Sequence, residues 1–211
     1  MMMSNILCGI ILGMSLILAP AARGQDAPDV LAKKVTDEVI TAIRSDKDIS
    51  AGNSDKVLSL VESKVLPHFD FTHMTRLAVG ASWRQASAAQ QQSLTSEFRK
   101  LLVHTYTSAF AQYRDQVIQY RPLKLQPSET DVVVRSQIKQ SNGNEPIDVN
   151  YSMEKIDQAW KVYDVTIAGV SLVQNYRSSF NSEIQKSGID GLIASLAKKN
   201  KSLGHQQAAK K

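Results

Sequence analysis

Cysteine and histidine are scarce in this sequence, which limits the chemistry it can perform. Its 211 residues include one cysteine and four histidines. Cys8 lies inside an N-terminal apolar run that we expect to be removed, so the mature chain has no thiol for a disulfide, a nucleophile or a metal ligand. The histidines are scattered, and the nearest pair, His68 and His73, would fall on different faces of a helix. The composition therefore predicts no metal site and no cofactor.

The sequence also lacks the short motifs that mark common active sites. It has no G-x-S-x-G nucleophile elbow, no phosphate-binding P-loop and no G-x-G-x-x-G dinucleotide fingerprint. Asp164 is the acid of most interest, because it stands between apolar neighbours in a predicted strand. An ion pair with Arg177 or a hydrogen bond from the backbone is favoured over a catalytic role. The sequence predicts a protein that is not an enzyme, and a small-molecule enzyme on a helix-covered sheet stays the alternative.

A strong charge of one sign is absent as well. The chain has 25 Lys and Arg against 20 Asp and Glu, a net charge of +5 that falls by one if Arg23 is removed with the N-terminal segment. Basic and acidic residues are interleaved on the helices, and no strand presents an aromatic and basic platform, so a nucleic-acid partner is not predicted. Much of the excess lies in KKNKSLGHQQAAKK at the end of the chain, and we expect a flexible basic tail over residues 201–211.

The longest apolar run is near the N-terminus and is short for a membrane span. Residues 6–19, ILCGIILGMSLILA, give about 14 apolar or small residues where a span needs about 20. Small residues before Gly24 allow cleavage after that residue, and Ala21 offers an alternative site. We therefore expect a signal peptide over residues 1–24 and a folded, exported domain over residues 25–200. The segment before the run has no Lys or Arg, and an uncleaved anchor is the alternative.

The spacing of apolar residues changes along the domain from helical to strand-like and back to helical. Leu31, Val35, Val39 and Ile43 recur every four residues, as expected for a helix. A short helix is predicted to begin at Asp70 and to end at Gly80, and a long helical pattern begins after Ser87. The period then changes to β-branched and aromatic segments, VIQYRPLKL, DVVVRSQIKQ, IDVNYSMEKI and AWKVYDVTIAG, separated by turn residues. After Gly169 the pattern is helical again. This order predicts an α+β domain with about four antiparallel strands and helices packed on one sheet face.

Large apolar side chains occur on one predicted sheet face, at the end of the long helix and in the segment GVSLV. Ile147, Val149, Tyr151 and Met153 alternate with polar residues, so one face of that strand packs inward. These side chains fill a core, or they line a cavity for an apolar ligand. Composition alone favours the core, and an interaction module with a solid core remains a third possibility.

One segment resembles a known family. WKVYDVTIAGVSLVQNYRSSF, residues 160–180, resembles the signature of the MlaC (toluene-tolerance) family, in which an aromatic strand leads through a glycine into a helix. The blocks VLPHFDFTHMTRLAVGASWRQAS and FRKLLVHTYTSAFAQY extend the resemblance over roughly residues 30–200. The small residues in GASWR and the uncharged start of the N-terminal segment depart from the family pattern.

The resemblance implies a fold, a cargo and partners. It implies an NTF2-like curved sheet wrapped by helices, with an acyl-chain cavity between the two layers. The implied role is that of a periplasmic, monomeric phospholipid carrier with no cofactor beyond its lipid cargo. Its partners would be an outer-membrane lipoprotein complex and an inner-membrane MCE-domain ABC transporter, in a system that maintains outer-membrane lipid asymmetry.

The resemblance also suggests which side chains meet lipid. Trp83 and Trp160 are expected to anchor packing. Tyr176 and Arg177 are candidates for the pocket mouth, although Arg177 paired with Asp164 is an equal alternative. The expected lipid-binding residues are Tyr106, Phe110, Val149, Tyr151, Met153, Tyr163, Val165, Ile167, Val170, Leu172 and Val173.

Overall fold

Helices come first in the folded domain, a sheet follows, and a long helix closes it. A computed structural model describes residues 26–111, 113, 115–140 and 143–208. The helices are α1 (Pro28–Ser45), α2 (Lys47–Ser50), α3 (Ser54–Leu60), α4 (Phe71–Val79), α5 (Ala88–Ala111) and α6 (Leu172–Ala208). The strands are β1 (Val117–Tyr120), β2 (Asp131–Lys139), β3 (Ile147–Ile156), β4 (Ala159–Ile167) and β5 (Val170–Ser171). The predicted α+β class is confirmed.

Local side-chain chemistry explains where the middle helices begin and end. Asp70 caps α4, because its Oδ1 accepts a hydrogen bond from the backbone nitrogen of His73 at 2.9 Å. Ser87 and Gln90 cap α5 reciprocally: the Gln90 backbone nitrogen donates to Ser87 Oγ at 3.2 Å, and the Ser87 nitrogen donates to Gln90 Oε1 at 3.0 Å. Gly80 ends α4 with a φ of 67°. These boundaries were predicted from the sequence and are confirmed.

The sheet is a simple meander. In the described residues five strands are ordered β1-β2-β3-β4-β5, and each pairs antiparallel with its neighbour in the chain. The sequence suggested about four strands and missed β5, which has two residues. A tight turn at Ala168 and Gly169, with φ of 49° and 83°, returns the chain and forms β5.

A β-bulge changes the direction of side chains along β4. Met153 pairs with Val162 and Ser152 pairs with Asp164, so Tyr163 has no partner on β3. An extra residue in one strand shifts the alternation of the residues that follow it. The residues on both sides of the bulge therefore turn toward the same face of the sheet: Trp160, Val162, Val165 and Ile167.

The buried apolar residues of the described chain fall into separate clusters. One lies among α4, α5 and α6 and includes Met74, Phe98 and Phe180. A second lies on the inner face of the sheet, and a third joins α1, α2 and α3. Phe69 packs against both the first and the second cluster, so it links the helical layer to the sheet. The space between these clusters is where a cavity can form.

The C-terminal helix is longer than the sequence suggested. α6 continues to Ala208, with one interruption at Gly188, whose φ is 73°. The basic segment predicted as a flexible tail from residue 201 thus continues α6 as far as residue 208, and Leu203 packs against the helical cluster. Its flexibility stays a prediction. Residues 209–211 and the predicted signal peptide lie outside the described residues. No helix in the described chain has the length and apolar character needed to cross a bilayer.

Candidate functional site

An apolar cavity of about 360 Å³ lies between the inner face of the sheet and the helices. One wall is formed by β3 and β4, with contributions from β1 and β2. α1 and α5 form the facing walls, and the segment from Val61 to Met74 closes one side. The side chains from the helical walls are mostly aliphatic or aromatic and include Leu31, Val35, Val39, Ile43, Val61, Val65, Phe71, Leu102, Tyr106 and Phe110.

Most of the residues expected to meet lipid line this cavity. They come from four different elements, which the fold brings together around one space. Those on the wall are Tyr106 and Phe110 from α5, Val149, Tyr151 and Met153 from β3, Val165 and Ile167 from β4, and Leu172 at the start of α6. The structure thus gathers these positions, which lie far apart in sequence.

Three residues of the predicted set lie elsewhere. Tyr163 points to the outer face of the sheet, because the bulge takes it out of the alternation, and it bonds to Asp131 at 3.0 Å. Val170 is 55% exposed in the turn that leads into β5. Val173 is fully buried, but it packs in the helical cluster rather than on the cavity. Their assignment to the cavity was wrong.

The two residues expected at the mouth also lie outside the cavity wall. Tyr176 packs edge-on to Phe98 in the helical cluster, with 5.2 Å between ring centroids. Arg177 is exposed and lies over Gly80, where a Cβ atom would come within 3.4 Å of its Nε. The mouth assignment is therefore not supported by their positions.

Asp164 has a structural role, which was one of the alternatives open from the sequence. Its Oδ1 accepts hydrogen bonds from the backbone nitrogens of Val165 at 2.8 Å and Val173 at 3.2 Å. Its Oδ2 accepts a hydrogen bond from Ser171 Oγ at 2.6 Å. The carboxylate therefore ties β4 to β5 and to the first turn of α6. The backbone alternative is confirmed, and these partners leave the Arg177 pairing without support.

A small polar network beside the cavity joins α1 to the sheet. The Tyr120 hydroxyl lies 2.6 Å from Thr36 Oγ1 and donates to the Ala32 carbonyl oxygen at 3.2 Å. The Tyr120 and Tyr151 rings stack with centroids 6.4 Å apart. Burial raises the pKa of both phenols, so they stay neutral over the ordinary pH range. The network holds α1 against the sheet without placing a charge in the cavity.

Burial also favours the uncharged form of two other side chains on the wall, Tyr106 and His68. Burial, followed by the nearby Tyr176 hydroxyl, raises the pKa of Tyr106. Burial, followed by the positive charge of Lys161, lowers the pKa of His68. Both shifts favour the neutral form of the side chain. The wall therefore combines aliphatic surface with neutral hydrogen-bonding groups, which suits hydrocarbon with a polar end.

Sequence reasoning missed the contribution of α1 to this site. The stripe of Leu31, Val35, Val39 and Ile43 was recognised as helical, but it received no functional assignment. In the structure all four residues line the cavity. The signal was present in the stripe itself, since its apolar face needed a covering partner.

A cluster of three potential metal ligands lies outside the cavity. One ligand atom each from Asp70, His73 and Glu154 lies within 4.8 Å of the others, a spacing that a divalent cation would fit. These groups already bond to one another, since Asp70 caps the helix and His73 Nδ1 bonds to Glu154. The His73 ring also stacks on Tyr163 with centroids 4.4 Å apart. The hydrogen bonds of this cluster hold α4 against the sheet.

The fold and the cavity define a class of protein. An antiparallel sheet covered by helices, with an apolar space between them and no charged group aimed into it from the described residues, is built to hold an apolar molecule.

The chain belongs to the MlaC family, whose model, described as MlaC protein, matches residues 33–198. It is 25% identical over 182 residues to the intermembrane phospholipid transport system binding protein MlaC of Haemophilus influenzae, covering 85% of each chain. It is 23% identical over 178 residues to the toluene tolerance protein ttg2D of Pseudomonas putida, covering 81% of this chain and 82% of that one.

A solved structure shares the fold. It is a phospholipid-binding protein from Ralstonia solanacearum in complex with a phospholipid, and it is 38% identical to this chain with a TM-score of 0.78. The similarity covers 85% of this chain and 99% of that one.

Proposed function

We propose that this protein is a phospholipid carrier that holds acyl chain in the cavity between sheet and helices. The observation that carries the proposal is the cavity itself, about 360 Å³ in volume and lined by aliphatic and aromatic side chains from every layer of the fold. The Ralstonia solanacearum relative, described in complex with a phospholipid, supports this choice of cargo.

The energetics of moving a lipid explain why such a cavity is useful. A methylene exposed to water costs about 0.8 kcal/mol, so a lipid with roughly 30 methylenes faces on the order of 20 kcal/mol for leaving a bilayer unaided. A methylene is close in size to a water molecule, which occupies about 30 Å³ in the liquid. The cavity of about 360 Å³ thus holds about a dozen methylenes, worth about 10 kcal/mol. The protein needs no catalytic group to offset this part of the barrier.

The wider setting of the carrier is part of the proposal. We place the mature protein in the periplasm, where it would exchange phospholipid with an outer-membrane lipoprotein complex and an inner-membrane MCE-domain ABC transporter. The Haemophilus influenzae relative, described as the binding protein of an intermembrane phospholipid transport system, supports this setting. In this role the protein supplies binding and release, and its partners supply any input of energy.

The test is whether the protein carries lipid when it is isolated. The chain is expressed with its own N-terminal segment, purified without detergent, and analysed by native mass spectrometry and by lipid mass spectrometry of an organic extract. We expect phospholipid in stoichiometric amount. A lipid-free protein that also takes no lipid from vesicles would overturn the proposal and would make the cavity a packing feature.

A further inference from the structure

His68 joins the cavity wall to an exposed part of the chain. This residue ends the short 3-10 segment Leu66–His68, lines the cavity and is partly buried. The residue before it, Pro67, is exposed. Among the described lining residues, His68 is the one whose side chain can carry a positive charge. The wall therefore changes at this point from hydrocarbon to a hydrogen-bonding group beside solvent.

A lysine from the sheet is fixed at the same place. Lys161 of β4 donates from Nζ to the carbonyl oxygen of Pro67 at 2.6 Å. An ammonium group has three hydrogens, so two remain for another acceptor. No carboxylate in the described chain forms an ion pair with Lys161, whereas Lys64 nearby is paired with Glu38 at 3.0 Å. Lys161 thus supplies an available positive charge next to His68.

α1 supplies a further positive charge that acts on His68. Lys34 lies next to the lining residue Val35, and its charge acts on the His68 ring. Lys34 is bonded to Asp26 at 3.1 Å, but this pair is exposed, so the lysine can exchange partners at little cost. Lysines from β4 and from α1 therefore both act on His68.

A phosphodiester matches this arrangement. It carries a negative charge and several acceptor oxygens, and charge-assisted hydrogen bonds to lysine and histidine are the strong ones. Acyl chains attached to it would enter the adjoining apolar space, while the rest of the headgroup stays in water. We propose that His68 and Lys161, together with Lys34 of α1, bind the phosphate of the lipid cargo. This inference rests on the proposed carrier function.

This arrangement predicts that the protein selects its lipids by the phosphate of the headgroup and not by the acyl chains. Mature wild-type protein is incubated with vesicles that contain phosphatidylglycerol and diacylglycerol with identical acyl chains, and the bound lipids are quantified by mass spectrometry. The variants are Lys161→Gln and His68→Gln, singly and together. The matched control is Lys186→Gln, an exposed lysine on α6 away from the cavity.

We expect the double variant to lose about tenfold in the ratio of bound phosphatidylglycerol to diacylglycerol, since a hydrogen bond to a charged group is worth about 1.5 kcal/mol or more. Uptake of diacylglycerol should stay unchanged, which shows that the variant is folded. An unchanged ratio in the double variant would overturn the inference and leave the carrier function intact. Failure of the wild type to bind either lipid would instead overturn the carrier function.

Two further measurements identify the source of the phosphate. NMR titration of the His68 ring should show a higher pKa in protein loaded with phosphatidylglycerol than in protein loaded with diacylglycerol. The reason is that the phosphate anion opposes the lowering of this pKa by Lys161 and Lys34. Glu38 raises the pKa in both states, so it does not contribute to the difference. Equal values would contradict a phosphate at this position.

A titration with inorganic phosphate forms the second arm. Loss of phosphate binding in Lys161→Gln without a change in the lipid ratio would assign the site to free phosphate and overturn the headgroup assignment.

Discussion

Replacing Val149 by phenylalanine should block lipid binding without harming the fold. Val149 lies on β3, whose backbone is bonded on both sides to β2 and β4, and its side chain lines the cavity. Because the strand is held on both sides, it cannot move aside to make room. The larger side chain must therefore extend into the cavity.

The magnitude follows from the volume of the cavity. Phenylalanine has four more carbons than valine, so it displaces about four of the dozen methylenes that about 360 Å³ can hold. At about 0.8 kcal/mol each, the loss is about 3 kcal/mol, or roughly 100-fold in the dissociation constant. The free energy of unfolding should change by less than about 1 kcal/mol, since the ring fills existing space instead of pushing on packed neighbours.

A fluorescent acyl-chain probe, displaced by phospholipid, measures the dissociation constant, and urea unfolding measures stability. The control is Val133→Phe, the same substitution on β2 at a residue that is 36% exposed and faces away from the cavity. It should bind as the unsubstituted chain does. If Val149→Phe were as stable as the parent and bound phospholipid equally well, the acyl chain could not occupy this cavity, and the reasoning would fail.

The remaining predictions concern stability. Asp164→Ala should lower the free energy of unfolding by about 1–3 kcal/mol, because it leaves backbone donors of two elements without an acceptor. Urea unfolding at neutral pH measures this change. An unchanged midpoint would contradict the structural role of Asp164. Gly80→Ala should destabilise by about 1–3 kcal/mol because its φ is 67°, whereas Gly204→Ala, inside α6 and with open space around a new Cβ atom, should stabilise by up to about 1 kcal/mol. Thermal unfolding of both variants checks the difference in sign. Burial and Asp131 raise the pKa of Tyr163 to about 12, so the stability it contributes is complete below the unfolded pKa of about 10 and is lost as the pH rises toward the folded value. Tyr163→Phe should flatten the stability profile in that window, and identical profiles would rule the assignment out.

The sequence predicted the elements of this fold better than the directions of individual side chains. Helix boundaries at Asp70, Ser87 and Gly80 depend on residues next to one another, so local chemistry was sufficient. The strand alternation gave the correct face for β3, where Val149 and Met153 both line the cavity. These features rest on short-range rules, which a sequence displays directly.

The errors at the site have longer-range causes. Tyr163 was misplaced because a bulge inserts one residue without a change in composition, and strict alternation then gives the wrong face. Val173 was misplaced because the apolar face of α6 packs on α4 and α5, which no local pattern reveals. The role of α1 was missed because its partner strands lie far along the chain, as shown by the bond between Thr36 and Tyr120, 84 residues apart.

The order of the strands has a consequence for how the protein folds. Every strand pairs with its neighbour in the chain, so the sheet can assemble through short loops that cost little closure entropy. α1 instead packs on strands that come much later in the chain, since its Thr36 contacts Tyr120, 84 residues away. We therefore expect the sheet to nucleate folding and α1 to dock late. The cavity would then be closed by the last element to arrive, which leaves the apolar face of β3 uncovered until that step.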